Sequence, residues 1–242
     1  MKAVDALPKS PLGVRVVAGG VCVAFGALLI QATLAIPEGE TGLAPLVAER
    51  LPESGVTNAV TACLLNFRGY DTLLEIAVLV LAAVGVMAVG GSHASAWKPL
   101  ARQADPILSA LTRLLAPVMV LVAGYLLWAG EHAPGGAFQA GSLIGAAGVL
   151  LTLSGYGRPA WVSHLALRAV IAVGFIVFVA IALGGMMVGG AFLEYPREHA
   201  KTLMLLLETW LTVSIGAILV SLFFASATPI DERTELMETD RG

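Results

Sequence analysis

Arg68, Asp71 and Glu75 stand three and four residues apart, a spacing that stacks all three on one face of a helix. The trio supports two readings. Arg68 can neutralise one acid and leave the other to exchange protons or hold a cation, or the three can form a salt-bridge cluster that anchors a helix end. Glu208, in "KTLMLLLETWLTV", poses a sharper question. It lies about 9–10 Å along an apolar run at 1.5 Å per residue. A lone ionised carboxylate at that depth is heavily penalised, so the group must be protonated, paired or facing water. Lys201, seven residues earlier, shares its face, and Thr212 follows four later. A packing bond to Lys201 or another helix fits, and so does a part in ion passage.

The third candidate is His132, within "GEHAPGGAFQAG". Its imidazole can relay protons near neutral pH, whereas His93, His164 and His199 fall in connections and read as solvated. Behind it, Pro134, Gly135 and Gly136 either break a helix to line a cavity with backbone groups or make a tight turn. Local physics favours the turn.

The elements that carry these groups are membrane helices. Of 242 residues, 57% are hydrophobic and 13% charged, about half the charge of an ordinary soluble domain. The mean hydropathy of +0.85 agrees. Six apolar runs reach about 20 residues, the length a bilayer core requires: Val14–Ile36, Thr72–Gly90, Ile107–Ala129, Ala137–Ser154, Leu167–Gly189 and Thr202–Phe224. Lipid offers no partner to unpaired backbone groups and no strand-like alternation is present, so the predicted class is all-α integral membrane. The apolar core of the first run is too long for a signal peptide and reads as a retained helix.

Basic residues set the predicted orientation. Lys2, Lys9 and Arg15, then Lys98, Arg102 and Arg113, then Arg158 and Arg168 fall on one side. Glu38, Glu40, Glu49, Glu53 and Glu131 fall on the other, with Arg50, Arg68, Arg197 and Lys201. The positive-inside rule places both termini of this multi-pass protein in the cytoplasm. The connection from Pro37 to Asp71 starts as a Pro/Gly/Glu-rich loop, and its second half suits a short interfacial or re-entrant helix. A polar, basic seam at Gly91–Asp105 divides the chain into two helices plus four, with predicted domains 1–95 and 96–228 and an acidic tail at 229–242.

Several functions are excluded by what the residues do not form. There is no Ser/His/Asp, Cys/His or His-rich metal pattern and no Gly-rich phosphate loop, so neither an enzyme, a metal, a cofactor nor a self-powered pump is expected. A net charge of −3 gives no basic field for nucleic acid. Cys22 and Cys63 read as small apolar fillers. Ala137, Gly141 and Gly145, and Gly185 and Gly189, repeat every four residues, a period that lets helix backbones approach closely.

Two stretches resemble known families. "GEHAPGGAFQAG" resembles the signature of the B subunit (MnhB/MrpB type) of multisubunit Na+/H+ antiporters, usually G-H-N-x-P-G-G-G-F. Pro134, Gly135, Gly136 and Phe138 match, whereas Glu131, His132 and Ala137 depart. The resemblance covers roughly residues 105 to 225, and Glu208 sits near the place of that family's last-helix acid. Gln139 looks more like the related subunit of archaeal membrane-bound hydrogenases. "NFRGYDTLLE" is similar to the D-F-R-G-F-D-T-L-G-E pattern of the short MbhE-type module, found at the end of the large A-type antiporter subunit. Phe67, Arg68, Gly69, Asp71, Thr72, Leu73 and Glu75 match, while Asn66 and Leu74 depart.

The two resemblances together imply a fused two-module subunit of an Mrp-type cation (Na+)/proton antiporter related to complex I. Its implied partners are large A- and D-type subunits, a small C-type one and lipid, with Na+ and H+ as transported ions. A membrane-arm subunit of a respiratory hydrogenase or other redox-driven complex is the first alternative, and a structural scaffold the second. Arg68, Asp71, Glu75, His132 and Glu208 are the expected ion or proton groups, with Pro134, Gly135, Gly136, Phe138, Gly141 and Gly145 as structural positions.

Overall fold

A computed structural model describes residues 12–35, 42–89, 106–156, 163–187, 190–196 and 198–226. The predicted seam at Gly91–Asp105, the tail at 229–242, His93 and most of the bases expected on the cytoplasmic side lie outside the described residues. The chain divides into two compact units, Met1–Pro45 and Leu46–Gly242. The first contains α1 (Leu12–Leu34), an apolar helix with no buried residue.

Short α2 (Ala44–Arg50) spans the boundary at Pro45 and, in the second unit, runs into a 3₁₀ turn at Leu51–Glu53. The one-turn α3 (Ala59–Thr61) continues into a π-helical turn at Ala62–Phe67. Four long helices and one shorter follow: α4 (Gly69–Val89), α5 (Pro106–Ala129), α6 (Ala137–Leu153), α7 (His164–Met187) and α8 (Ala200–Ser226). Five helices, α1, α4, α5, α7 and α8, are long and apolar enough to cross a membrane. The sixth expected span, α6, has 17 residues and reaches about 26 Å. All described elements are helical, as the composition requires, and α3 with its π turn occupies the place expected of a short interfacial helix.

The bundle is built on α8. It touches α4, α5, α6 and α7, and 56% of its most apolar stretch is buried, against 28% or less for the other long helices. Small residues explain how α6 comes so close. A Cβ on Gly141 would lie 2.8 Å from Ile215 Cβ, one on Gly145 3.0 Å from Leu219 Cβ, and one on Gly148 2.5 Å from Val220 Cγ2. These pairs climb together along both helices, so α6 and α8 run parallel. On the other flank, Gly174 of α7 meets Ser214 of α8, whose hydroxyl donates to the Ile171 carbonyl at 2.5 Å. Such a bond satisfies a hydroxyl that lipid would leave unpaired.

Three connections gather at one end of this unit. Gly55 packs on Ala200, Gly69 on Leu193, and the rings of Tyr70 and Phe192 lie 5.3 Å apart. At the opposite end Thr112 is hydrogen-bonded to Ser154, and Arg113 Nε donates to the Tyr156 hydroxyl at 2.8 Å. That bond to a cation draws the Tyr156 phenol below its ordinary range.

Candidate functional site

The gathered end encloses a cavity of about 440 Å³, lined by Asn58, Thr61, Thr72, His132, Gln139 and Glu208 among others. It has room for several waters at about 30 Å³ each. Its deepest charged group is Glu208, only 7% exposed.

The helix start of α6 holds that carboxylate. The Ala137 N–H, the first of the helix, donates to it. A helix start leaves several N–H groups without intrahelical partners and carries the positive end of the helix dipole, both of which favour an anion. Gly136 makes the approach possible, because its φ is +102° and a Cβ there would stand 2.7 Å from Glu208 Oε1. The turn before it is equally tight. Gly136 N–H donates to Leu126 O at 2.8 Å, and a side chain on Gly135 would collide with that same carbonyl. Pro134, Gly135 and Gly136 therefore form a turn, and the turn delivers a helix start to a carboxylate.

The roof of the cavity comes from the segment before α4. Asn58 caps α3, accepting from Val60 N–H at 2.8 Å, while its amide donates to Ala133 O at 2.5 Å. The N–H groups of Thr57 and Asn58 both reach Glu131 O, at 3.1 and 2.9 Å, and the Thr61 hydroxyl donates to Gly130 O at 2.5 Å. The π turn throws the Leu64 carbonyl out of α-helical register, and the buried Thr72 hydroxyl donates to it at 2.6 Å. Replacing Thr61 by Val keeps the shape and leaves the buried Gly130 carbonyl without this donor. We expect Thr61→Val to cost about 1–3 kcal/mol, read as a lowered unfolding temperature in detergent; an unchanged temperature would count against this joint.

The other expected ion groups are distributed differently. Arg68 binds Asp71 at 2.5 Å, with both side chains more than half exposed. Glu75 is exposed one turn further along α4 and does not line the cavity, whereas Thr72 of the same helix does. Lys201 pairs with Glu131 at 2.7 Å and so does not serve Glu208. His132 lies at the cavity, its ring edge-on to Trp128 at 4.9 Å. Phe138 packs against the main core cluster, and Gly141 and Gly145 are the contact points with α8 already described. Among the described residues no group of three or more His, Cys, Asp or Glu converges as a metal site would. Asn58, Thr61 and Thr72 carry no charge and so do not stand out in an apolar sequence as ionisable groups do, although Asn58 ahead of Ala-Val-Thr is a helix-capping signal.

Two family models match the chain in tandem. One, described as the E subunit of MBH, matches residues 12–101, and the other, a domain related to the MnhB subunit of Na+/H+ antiporter, matches residues 107–228. The second match takes in half of the chain. The chain belongs to the MnhB-related family. The E-type module precedes the B-type domain, the order read from "DTLLE" and "PGGAF".

This MnhB-related chain is 31% identical over 156 residues to an uncharacterized protein of Methanocaldococcus jannaschii, covering 57% of the chain and 60% of that protein. It is 28% identical over 204 residues to a probable K+/H+ antiporter A/B subunit of Rhizobium meliloti, covering 73% of the chain and 20% of that protein. The chain thus spans less than two thirds of either curated relative. Its structure is similar to one in the Mrp complex from Dietzia sp., with a TM-score of 0.68 at 25% identity, covering 93% of this chain and 27% of that one. It is also similar to a chain of the membrane-bound sulfane sulfur reductase, an archaeal respiratory membrane complex. There the TM-score is 0.69 at 25% identity, covering 89% of this chain and 98% of that one.

Proposed function

We propose that the chain is a membrane subunit of an Mrp-type multisubunit cation/proton antiporter of the cytoplasmic membrane, with both termini cytoplasmic. It packs against large A- and D-type and small C-type subunits and contributes Glu208 and its cavity to the passage of Na+ or H+. The observation that carries this reading is the length of the match to the A/B-type antiporter protein. At 204 residues and 73% of the chain, it is longer than either module and so draws on both. The fused arrangement therefore has its counterpart in a protein named for antiport. Within the site, a buried carboxylate held by a helix start, beside a cavity lined by Asn, Thr, His and Gln, supplies a group that can exchange a proton for a cation.

The test is antiport in membrane vesicles from cells expressing the whole complex, with and without this chain. Cation-dependent collapse of the proton gradient is expected only when the chain is present. Equal activity without it, in complexes that still assemble, would sink the reading.

The match to 98% of a chain from the sulfane sulfur reductase supports a second reading, a membrane-arm subunit of a redox-driven complex. Purification through a tag on this chain separates the two. Iron–sulfur subunits in the purified complex would favour redox coupling, and antiporter subunits alone would favour the first reading.

A further inference from the structure

Tyr195 lies in the connection between α7 and α8, and the ion-passage reading has not used it. Its side chain is 6% exposed and belongs to the buried cluster that holds Ala137 at the start of α6 and Met204, Leu207 and Leu211 of α8. Those residues bracket Glu208 along α8 and carry the N–H that binds its carboxylate. The Tyr195 hydroxyl is fully buried and has no hydrogen-bond partner among the described residues. A buried hydroxyl is costly to leave unpaired, and such a group in a native fold calls for an occupant.

The chemistry narrows what that occupant is. Burial first, and the Glu208 charge second, push ionisation of the Tyr195 phenol well above its ordinary range, so the group remains an O–H donor. Two charged groups near it have partners of their own: Glu194 accepts from Ala191 N–H at 2.7 Å, and Lys201 is paired with Glu131. Glu208 has acceptor capacity to spare, since a carboxylate offers about four lone-pair sites and Ala137 N–H takes one. A second cavity of about 140 Å³, lined by Ile181, Tyr195, Pro196 and Leu203 among others, gives the ring room to shift.

We propose that the Tyr195 hydroxyl is a second hydrogen-bond station for the Glu208 carboxyl, taken when that side chain leaves the Ala137 N–H beside the cavity and turns into the bundle. Tyr195 is then a positioning residue that acts through Glu208, and the inference rests on the ion-passage reading of Glu208. The first station faces the polar cavity and the second lies in the apolar cluster. A carboxyl moving between them changes its surroundings without losing a hydrogen bond.

The test is Tyr195→Phe in the assembled complex, which removes the O–H and keeps the ring. Infrared difference spectra across a pH step identify the Glu208 carboxyl band as the one that Glu208→Gln abolishes. In Tyr195→Phe that band is expected to move to higher frequency, because the carbonyl has lost a donor. The maximal transport rate is expected to fall about tenfold, with the apparent cation KM within about twofold of wild type. An unshifted band overturns the proposal, and so does failure of Tyr195→Phe to assemble, which would make the residue a packing element. A shifted band alongside wild-type transport by Glu208→Gln keeps the hydrogen-bond station and removes the ion-passage reading on which its use depends.

Discussion

Complexes carrying Glu208→Gln are expected to assemble at wild-type levels and to exchange cations for protons at less than about a tenth of the wild-type rate. The argument for normal assembly is steric. Glutamine has the shape of glutamate, and its carbonyl oxygen can still accept from the Ala137 N–H that now serves the carboxylate. The turn at Gly135 and Gly136 and the close seating of α6 on α8 therefore have no reason to change. What is lost is the ability of this one buried group to take up and release a proton or to balance a cation. Among the groups lining the cavity, Asn58, Thr61, Thr72 and Gln139 carry no charge, and His132 is exposed at its edge. None of them replaces a carboxylate. The measurement is the cation-dependent collapse of a proton gradient in vesicles, normalised to the amount of assembled complex. A rate equal to wild type would assign Glu208 to packing.

The second large effect is expected at Gly136. Its φ of +102° lies where a side chain is strained, and a Cβ there would stand 2.7 Å from Glu208 Oε1. The backbone strain costs about 1–3 kcal/mol, and displacing a buried acceptor from its helix start adds to that. Gly136→Ala is therefore expected to destabilise the protein by about 2–4 kcal/mol and to lower transport as well, because the carboxylate must move. Gly124→Ala is the control. Gly124 lies inside α5, and an alanine methyl there would meet nothing within 4 Å. Alanine is also the better helix former by about 1 kcal/mol. Thermal unfolding in detergent should show the first variant well below wild type and the second at or above it. Equal unfolding temperatures for the two would remove Gly136 from the account.

Much of this arrangement can be read from residue types alone. A chain with 13% charge and six apolar runs has no option but a helical bundle in lipid, and Glu208 stands out because a carboxylate deep in an apolar run demands a reason. The partner of Lys201 is a different matter. Heptad spacing puts Lys201 and Glu208 on one face, yet Lys201 stands near the exposed start of α8 and reaches across to Glu131 of a neighbouring turn. Spacing along one helix says nothing about what another helix brings alongside. The same limit hides Thr61 and Thr72, whose hydroxyls matter because of carbonyls they meet at Gly130 and Leu64. It hides Tyr195 too, since its burial depends on how the connection before α8 folds back. The π turn at Ala62–Phe67 has no signature in composition or periodicity.

The joint between the segment at Thr57–Thr61 and the turn at Gly130–Ala133 has one further property. Every acceptor it uses on the turn is a main-chain oxygen, of Gly130, Glu131 or Ala133. The side chains at 131 and 132 take no part in it. Those are two of the positions at which this chain differs from the G-H-N-x-P-G-G-G-F pattern it resembles. A latch made of carbonyls leaves the letters above it free to drift, so this turn can exchange its acid and imidazole for other groups and still close on its neighbour.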